Sequence, residues 1–209
     1  MSAAVPATAG ADQTDLPRVL RAAVKLGVLE SVAVLVIGLV SRSLDGVAEQ
    51  ALLLVLVSGA VIAVTFLPGL WTRAQTIEGI SGAAGIGLAA TVVFLIVDVS
   101  LLQPFGLYTH RWRDIGGGSN WWYHPIWWMA GTYLTWMGGW LLAARAVKGG
   151  AAAPVGAAIV VLALTALCGV AANLVHFPGA GWNTPTFAVA FLPGLALATA
   201  ASALGARRK

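Results

Sequence analysis

Charge is what this chain has least of. Asp, Glu, Lys and Arg make up 10% of its 209 residues, against about a quarter in a soluble globular domain. A water-soluble fold with so few charges would expose large apolar patches and aggregate, so that class is excluded. Cysteine is nearly missing as well. Cys168 stands alone inside an apolar run, and no disulfide framework can form within one chain. The opening stretch MSAAVPATAGADQTD lacks both a basic n-region and an apolar h-region, so a cleavable signal peptide is not expected.

The motifs of common chemistries are missing too. The three histidines show no HxH, HxxH or HExxH spacing, and no Ser-His-Asp, Cys-His or paired-carboxylate signature appears. GISGAAGIG is glycine-rich, but it lacks the Lys-Ser/Thr of a phosphate-binding loop and no strand precedes it. Apolar-polar alternation of the kind that builds membrane barrels is absent. The net charge of +4 comes from basic residues beside apolar runs, which orient a membrane protein rather than bind nucleic acid.

What is present is long apolar runs: 59% of the residues are hydrophobic. A hydrocarbon core about 30 Å thick needs roughly 20 apolar residues in a helix. Six stretches qualify, at about 20–40, 51–71, 82–102, 125–146, 154–174 and 185–204. Backbone groups in lipid must be satisfied within their own segment, so these runs are helices. The expected fold is an all-α integral membrane bundle of six transmembrane helices, 18–205. Before it comes a disordered cytoplasmic tail, 1–17, and after it a basic cytoplasmic tail, 206–209. Lys and Arg set the orientation. Nine of them fall on the side of the termini and three (Arg42, Arg111, Arg113) on the other. That asymmetry puts both termini in the cytoplasm, in what reads as a bacterial inner membrane, with loops 103–124 and 175–185 outside.

The richest stretch is Gln103 to Trp140, which holds seven of the nine tryptophans and all three tyrosines. Its first half is a polar loop bearing Asp114 and Gly116 to Gly118, an aromatic-rich extracytoplasmic cap. Its second half opens the fourth span. At about 100° per residue, Met129, Tyr133, Trp136 and Trp140 share one face of that span, and Gly131, Thr135 and Gly139 share another. The aromatic face suits lipid, core packing or a flat hydrophobic cofactor, for which Tyr133, Trp136, Trp140 and the nearby Trp128 are the candidate wall. The small-residue face lets another helix approach closely. The third span repeats that device in Gly79, Ala83 and Gly87, and again in Ser81, Gly85 and Ala89. VTFLPGL (64–70) returns as VAFLPGL (189–195); each Pro-Gly removes a helix hydrogen bond and invites a kink.

Asp98, His110, His124 and His176 all fall on the outer side. A carboxylate with imidazoles is the donor set of a transition metal, so these four form a speculative metal site. Asp98 reaches water, pairs with Arg111 or Arg113, or is a buried acid of the kind that marks a proton or ligand path. Glu30 is expected one or two turns into the first span from the cytoplasm. The leading functional expectation is a non-catalytic component of a membrane complex. It would pack on partner membrane proteins, or on its own copies, through small-residue faces and present its Trp/His-rich outer loop to a partner or hydrophobic cofactor. The alternatives are a metal-dependent enzyme with an Asp/His site at the outer face and a small proton-coupled transporter.

Overall fold

The computed structural model of the chain describes residues 12–108, 123–147 and 154–206. Those residues form helices and connections, with no strand among them. The helices are α1 (Leu16–Ser43), α2 (Gly46–Trp71), α3 (Ile77–Val97), α4 (Tyr123–Ala146), α5 (Pro154–Leu174) and α6 (Thr184–Ala206). A π-helical turn, Asp98–Leu102, continues α3.

Five of the six helices are long and apolar enough to cross a membrane: α1, α2, α3 with its π turn, α5 and α6. The chain is therefore an integral membrane protein of the multi-pass helical class. The remaining helix, α4, is 24 residues long, about 36 Å at 1.5 Å per residue. It has no stretch as apolar as those of the other five, because tryptophan, tyrosine, threonine and glycine fill it.

The first three helices begin four or five residues before the expected runs. Apolarity marks the part of a helix that lies in lipid, whereas the helix continues wherever its backbone bonds continue. Pro17, in the first turn of α1, needs no N–H there and has its φ already suited to the helix. Residues of the expected disordered tail are also held. The backbone N–H of Gln13 donates to the Thr72 carbonyl at 2.7 Å, and the Thr14 hydroxyl donates to Glu78 at 3.0 Å. Asp12 caps α3. Its carboxylate accepts from the backbone N–H of Gln75 (2.9 Å), Thr76 (3.2 Å) and Gly79 (3.0 Å), and from the Thr76 hydroxyl. Partial burial opposes its ionisation, yet these bonds together hold the carboxyl below its usual range. Residues 1–11 lie outside the described residues.

The helix outside that set of five sits in the middle. α4 packs against α3 and α2 on one side and α6 on the other, while α5 leans mainly on α6 and α1 on α3 and α2. Glycine makes this possible. A methyl placed on Gly131 would fall on the Thr91 hydroxyl, and one on Gly87 would fall on the Thr135 hydroxyl. Each threonine thus sits over the other helix's glycine and returns its own proton to the carbonyl four residues back, at 2.9 Å in both cases. Gly138 lies against the Thr65 carbonyl of α2 in the same way. The small-residue faces Gly131/Thr135/Gly139 and Gly79/Ala83/Gly87 were expected to be available to other proteins. They close on neighbours within the chain instead. Gly85 differs, because a methyl there would meet nothing within 4 Å.

Both Pro-Gly echoes serve one core. Phe66, two residues before Pro68, and Phe191 and Leu195, on either side of Pro193 and Gly194, pack in a single cluster with Leu134, Leu141, Leu142 and Val161. A second cluster joins α1 to α3 through Ala22, Ala23, Leu26, Ile86 and Ala90. A third, at the far end, holds Phe94, Leu95 and Tyr123.

Candidate functional site

The site is built where α3 ends. The π turn widens the helix by one residue, and such turns recur at functional positions. Its first residue, Asp98, has 0% exposure, so the expectation that it reaches water is corrected. Its two oxygens accept hydrogen bonds from three described side chains. Oδ1 accepts from the Tyr108 hydroxyl. Oδ2 accepts from the Tyr123 hydroxyl at 2.9 Å and from Gln103 Nε2 at 2.7 Å. No basic side chain of the described residues comes within ion-pair distance of Asp98; Arg111 and Arg113 lie outside them.

The connection after the π turn folds back on α1. Gln103 N–H donates to the Asp98 carbonyl at 2.9 Å. Gly106 takes φ +63°, a conformation natural to glycine, and its carbonyl accepts from Arg42 at 2.8 Å. Leu107 is buried against Gly38 of α1. These contacts deliver the Tyr108 phenol to Asp98. Burial first, and the hydrogen bond to Asp98 second, push that phenol above its ordinary range, so it remains a donor. Tyr123 reaches the same carboxylate from the first turn of α4. It stacks edge-on with Trp127 at 6.1 Å, and Trp127 in turn meets Phe94 at 5.1 Å. One buried carboxylate therefore ties together the two residues that flank the segment 109–122.

Of the other expected metal-site residues, His124 and His176 are described, and neither bonds to Asp98. His124 lies beside Tyr123, ring centres 5.6 Å apart. It lines an open, mostly apolar groove of about 310 Å³ with Val92, Leu95, Ile96, Val99, Ser100 and Trp128. His176 sits past the end of α5 with φ +53°, exposed, in the left-handed position that more often carries glycine at a helix terminus. Its role there is to stop the helix. Among the described residues no group of three His, Cys, Asp or Glu side chains could hold a metal. His110 lies outside the described residues, as do Trp112, Trp121 and Trp122.

The expected aromatic wall divides. The Tyr133 hydroxyl donates to the Leu192 carbonyl at 2.8 Å, and the ring packs against the large core cluster. Trp136 and Trp140 are paired, ring centres 5.9 Å apart and 37° between planes. They face outward, 42% and 39% exposed. Trp128 is 44% exposed and belongs to the groove beside α3.

Glu30 stands apart from the site. It lies midway along α1, roughly 20 Å from either helix end at 1.5 Å per residue. Its Oε2 is buried and has no hydrogen-bond partner among the described residues.

Reading the sequence missed Gln103, Tyr108, Tyr123 and Arg42 as partners of this region. The available signal was positional: two tyrosines flank a glycine-rich, tryptophan-rich segment that follows an acid at a helix end. The chain matches no protein-family model, no curated protein and no solved structure.

Proposed function

We propose that the protein is a non-catalytic component of a membrane complex that presents its Trp/His-rich segment 103–124 on the outer face to a partner protein or hydrophobic cofactor. In this reading α4 is the sixth transmembrane helix. The nine-to-three distribution of Lys and Arg keeps both termini in the cytoplasm of a bacterial inner membrane. The observation that carries the reading is the Asp98 clamp, whose two oxygens accept from Tyr108, Tyr123 and Gln103. A carboxylate engaged by three donors suits bracing better than turnover, and what it braces is both flanks of the segment richest in aromatic side chains. The outward pair Trp136 and Trp140 and the open small-residue strip at Gly85 offer lipid-facing surfaces on which a partner helix could seat.

Native mass spectrometry of the protein released gently from its own membrane tests this. The expected result is a mass above the protomer that dissociates to a protein partner or a bound hydrophobic molecule, with less of it retained by Asp98→Asn. A bare monomer that is fully active in a transport or enzyme assay would overturn the reading. Stoichiometric metal that is lost on His124→Ala would replace it with the metal-enzyme alternative.

A further inference from the structure

The inward face of α1 holds Ala22, Ala23, Leu26, Gly27, Ser31, Ile37 and Gly38, and Glu30 falls among them. Gly27 lies against the Ala90 carbonyl and the Val93 side chain of α3. Val34, one turn beyond Glu30, packs on the Phe94, Leu95 and Tyr123 cluster. Glu30 is thus held in the seam between α1 and α3, at mid-depth of a helix long enough to cross the bilayer.

Among the described residues nothing around it balances a negative charge. α2 carries no titratable side chain from Gln50 to Trp71, and α3 carries none from Gly79 to Val97. On α1 itself, Arg21 and Lys25 are exposed, and Arg21 donates to the Pro17 carbonyl at 3.0 Å. Of the groups at the α4 end, Tyr123 is engaged by Asp98, Asp98 is filled by its three donors, and His124 lies in the groove between α3 and α4. Ser31, the adjacent hydroxyl, gives its proton to the Gly27 carbonyl at 2.8 Å. A bare carboxylate at this depth is strongly disfavoured, and intramembrane acids of this kind mark proton or ligand paths. A lone carboxyl without other oxygen ligands fits a proton rather than a metal cation.

We propose that Glu30 is a proton-binding site in the middle of the membrane, occupied while α1 is closed on α3. This goes beyond the presentation role and does not depend on it. Loss of the proton would place an unpaired charge in the seam and draw water into it, so proton occupancy and closure of α1 on α3 are linked.

Dicyclohexylcarbodiimide, an apolar reagent that enters lipid, tests the site in intact membranes. The carboxyl proton passes to a carbodiimide nitrogen while the carboxyl oxygen bonds to the central carbon. The resulting O-acylisourea rearranges to a stable N-acylurea that peptide mapping locates. The expected result is an adduct on Glu30 that is lost in Glu30→Gln, declines as pH rises, and does not form with a water-soluble carbodiimide. Equal labelling by the water-soluble reagent would overturn the proposal, because it would mean a hydrated carboxyl. Infrared spectroscopy decides the case in which the apolar reagent fails to reach the seam. A protonated-carboxyl band present in the wild type and missing in Glu30→Gln supports the site, and its absence from the wild type overturns it.

Discussion

Asp98 and Glu30 are two acids on neighbouring helices of one seam, and the chain treats them oppositely. Asp98 is fully buried and each of its oxygens receives donors. Glu30 is partly buried and its Oε2 receives none. The same functional group is a clamp where the backbone departs from regular helix, and a bare site where regular helix continues. The π turn and the returning segment 103–108 bring flexible donors to Asp98. At Glu30 the neighbouring turns offer apolar side chains, a Ser31 hydroxyl already given to the Gly27 carbonyl and backbone groups already paired. A buried polar network rigidifies when it is complete and is costly when it is not. The difference between these acids is therefore a difference in which groups surround them rather than in depth alone.

The largest expected effect comes from emptying the clamp. Asp98→Ala leaves three donors, buried Tyr123 and half-buried Tyr108 and Gln103, facing a void and should cost about 3 kcal/mol or more, read as a lower unfolding temperature in lipid nanodiscs. Faster tryptic cleavage at Arg111 and Arg113 should accompany it. Wild-type stability and cleavage in this variant would break the comparison. Tyr123→Phe removes one donor while Gln103 still serves Oδ2, so about 1–2 kcal/mol is expected. A loss as large as that of Asp98→Ala would place the ring, rather than the hydroxyl, at the centre of the clamp.

Asp12 offers a third acid, outside the membrane, to sharpen the contrast. Its folded carboxyl is held low by the hydrogen bonds of the α3 cap. The stabilisation is present above the ordinary aspartate value of about 4 and fades as pH falls through the lowered folded value. Asp12→Ala should cost about 1 kcal/mol at neutral pH, in line with the loss of a helix cap, and the gap from wild type should close in acid. A gap that does not change with pH would mean that the carboxylate is not what caps α3. Glu30→Gln should have the smallest effect, under about 0.5 kcal/mol near neutrality, because an amide replaces a neutral acid of the same shape. A cost matching that of Asp98→Ala would place an ion pair at Glu30 and erase the distinction.

Much of the fold was legible. The apolar runs marked the five helices long and apolar enough to cross a membrane, because insertion into lipid demands apolarity over a whole segment, and the run at 125–146 fell on the helix α4. The helix starts at Leu16, Gly46 and Ile77 were not legible, because interfacial turns form without apolar side chains. The glycine faces were visible as surfaces for close approach, but not their partners. Gly131 and Gly87 suit each other, and a periodic pattern says only that some helix can come near. Of the candidate site, Asp98 was visible as an acid near a helix end. Its partners were not, since Gln103, Tyr108 and Tyr123 converge only through a π turn and a positive-φ glycine. The histidines were grouped by the side of the membrane they share, which is too coarse a criterion to place ligands in contact.

By itself, the sequence determined the solvent this protein lives in, the helical class and the tryptophan-rich stretch. Those follow from composition and one-dimensional periodicity, which burial in lipid reads directly. Only the tertiary structure decided that the tryptophan-rich helix α4 occupies the centre, that one carboxylate is a clamp, and that the other stands unpaired. Those outcomes depend on which side chains from distant segments arrive within about 3 Å of one another, a relation that is absent from any single run of residues.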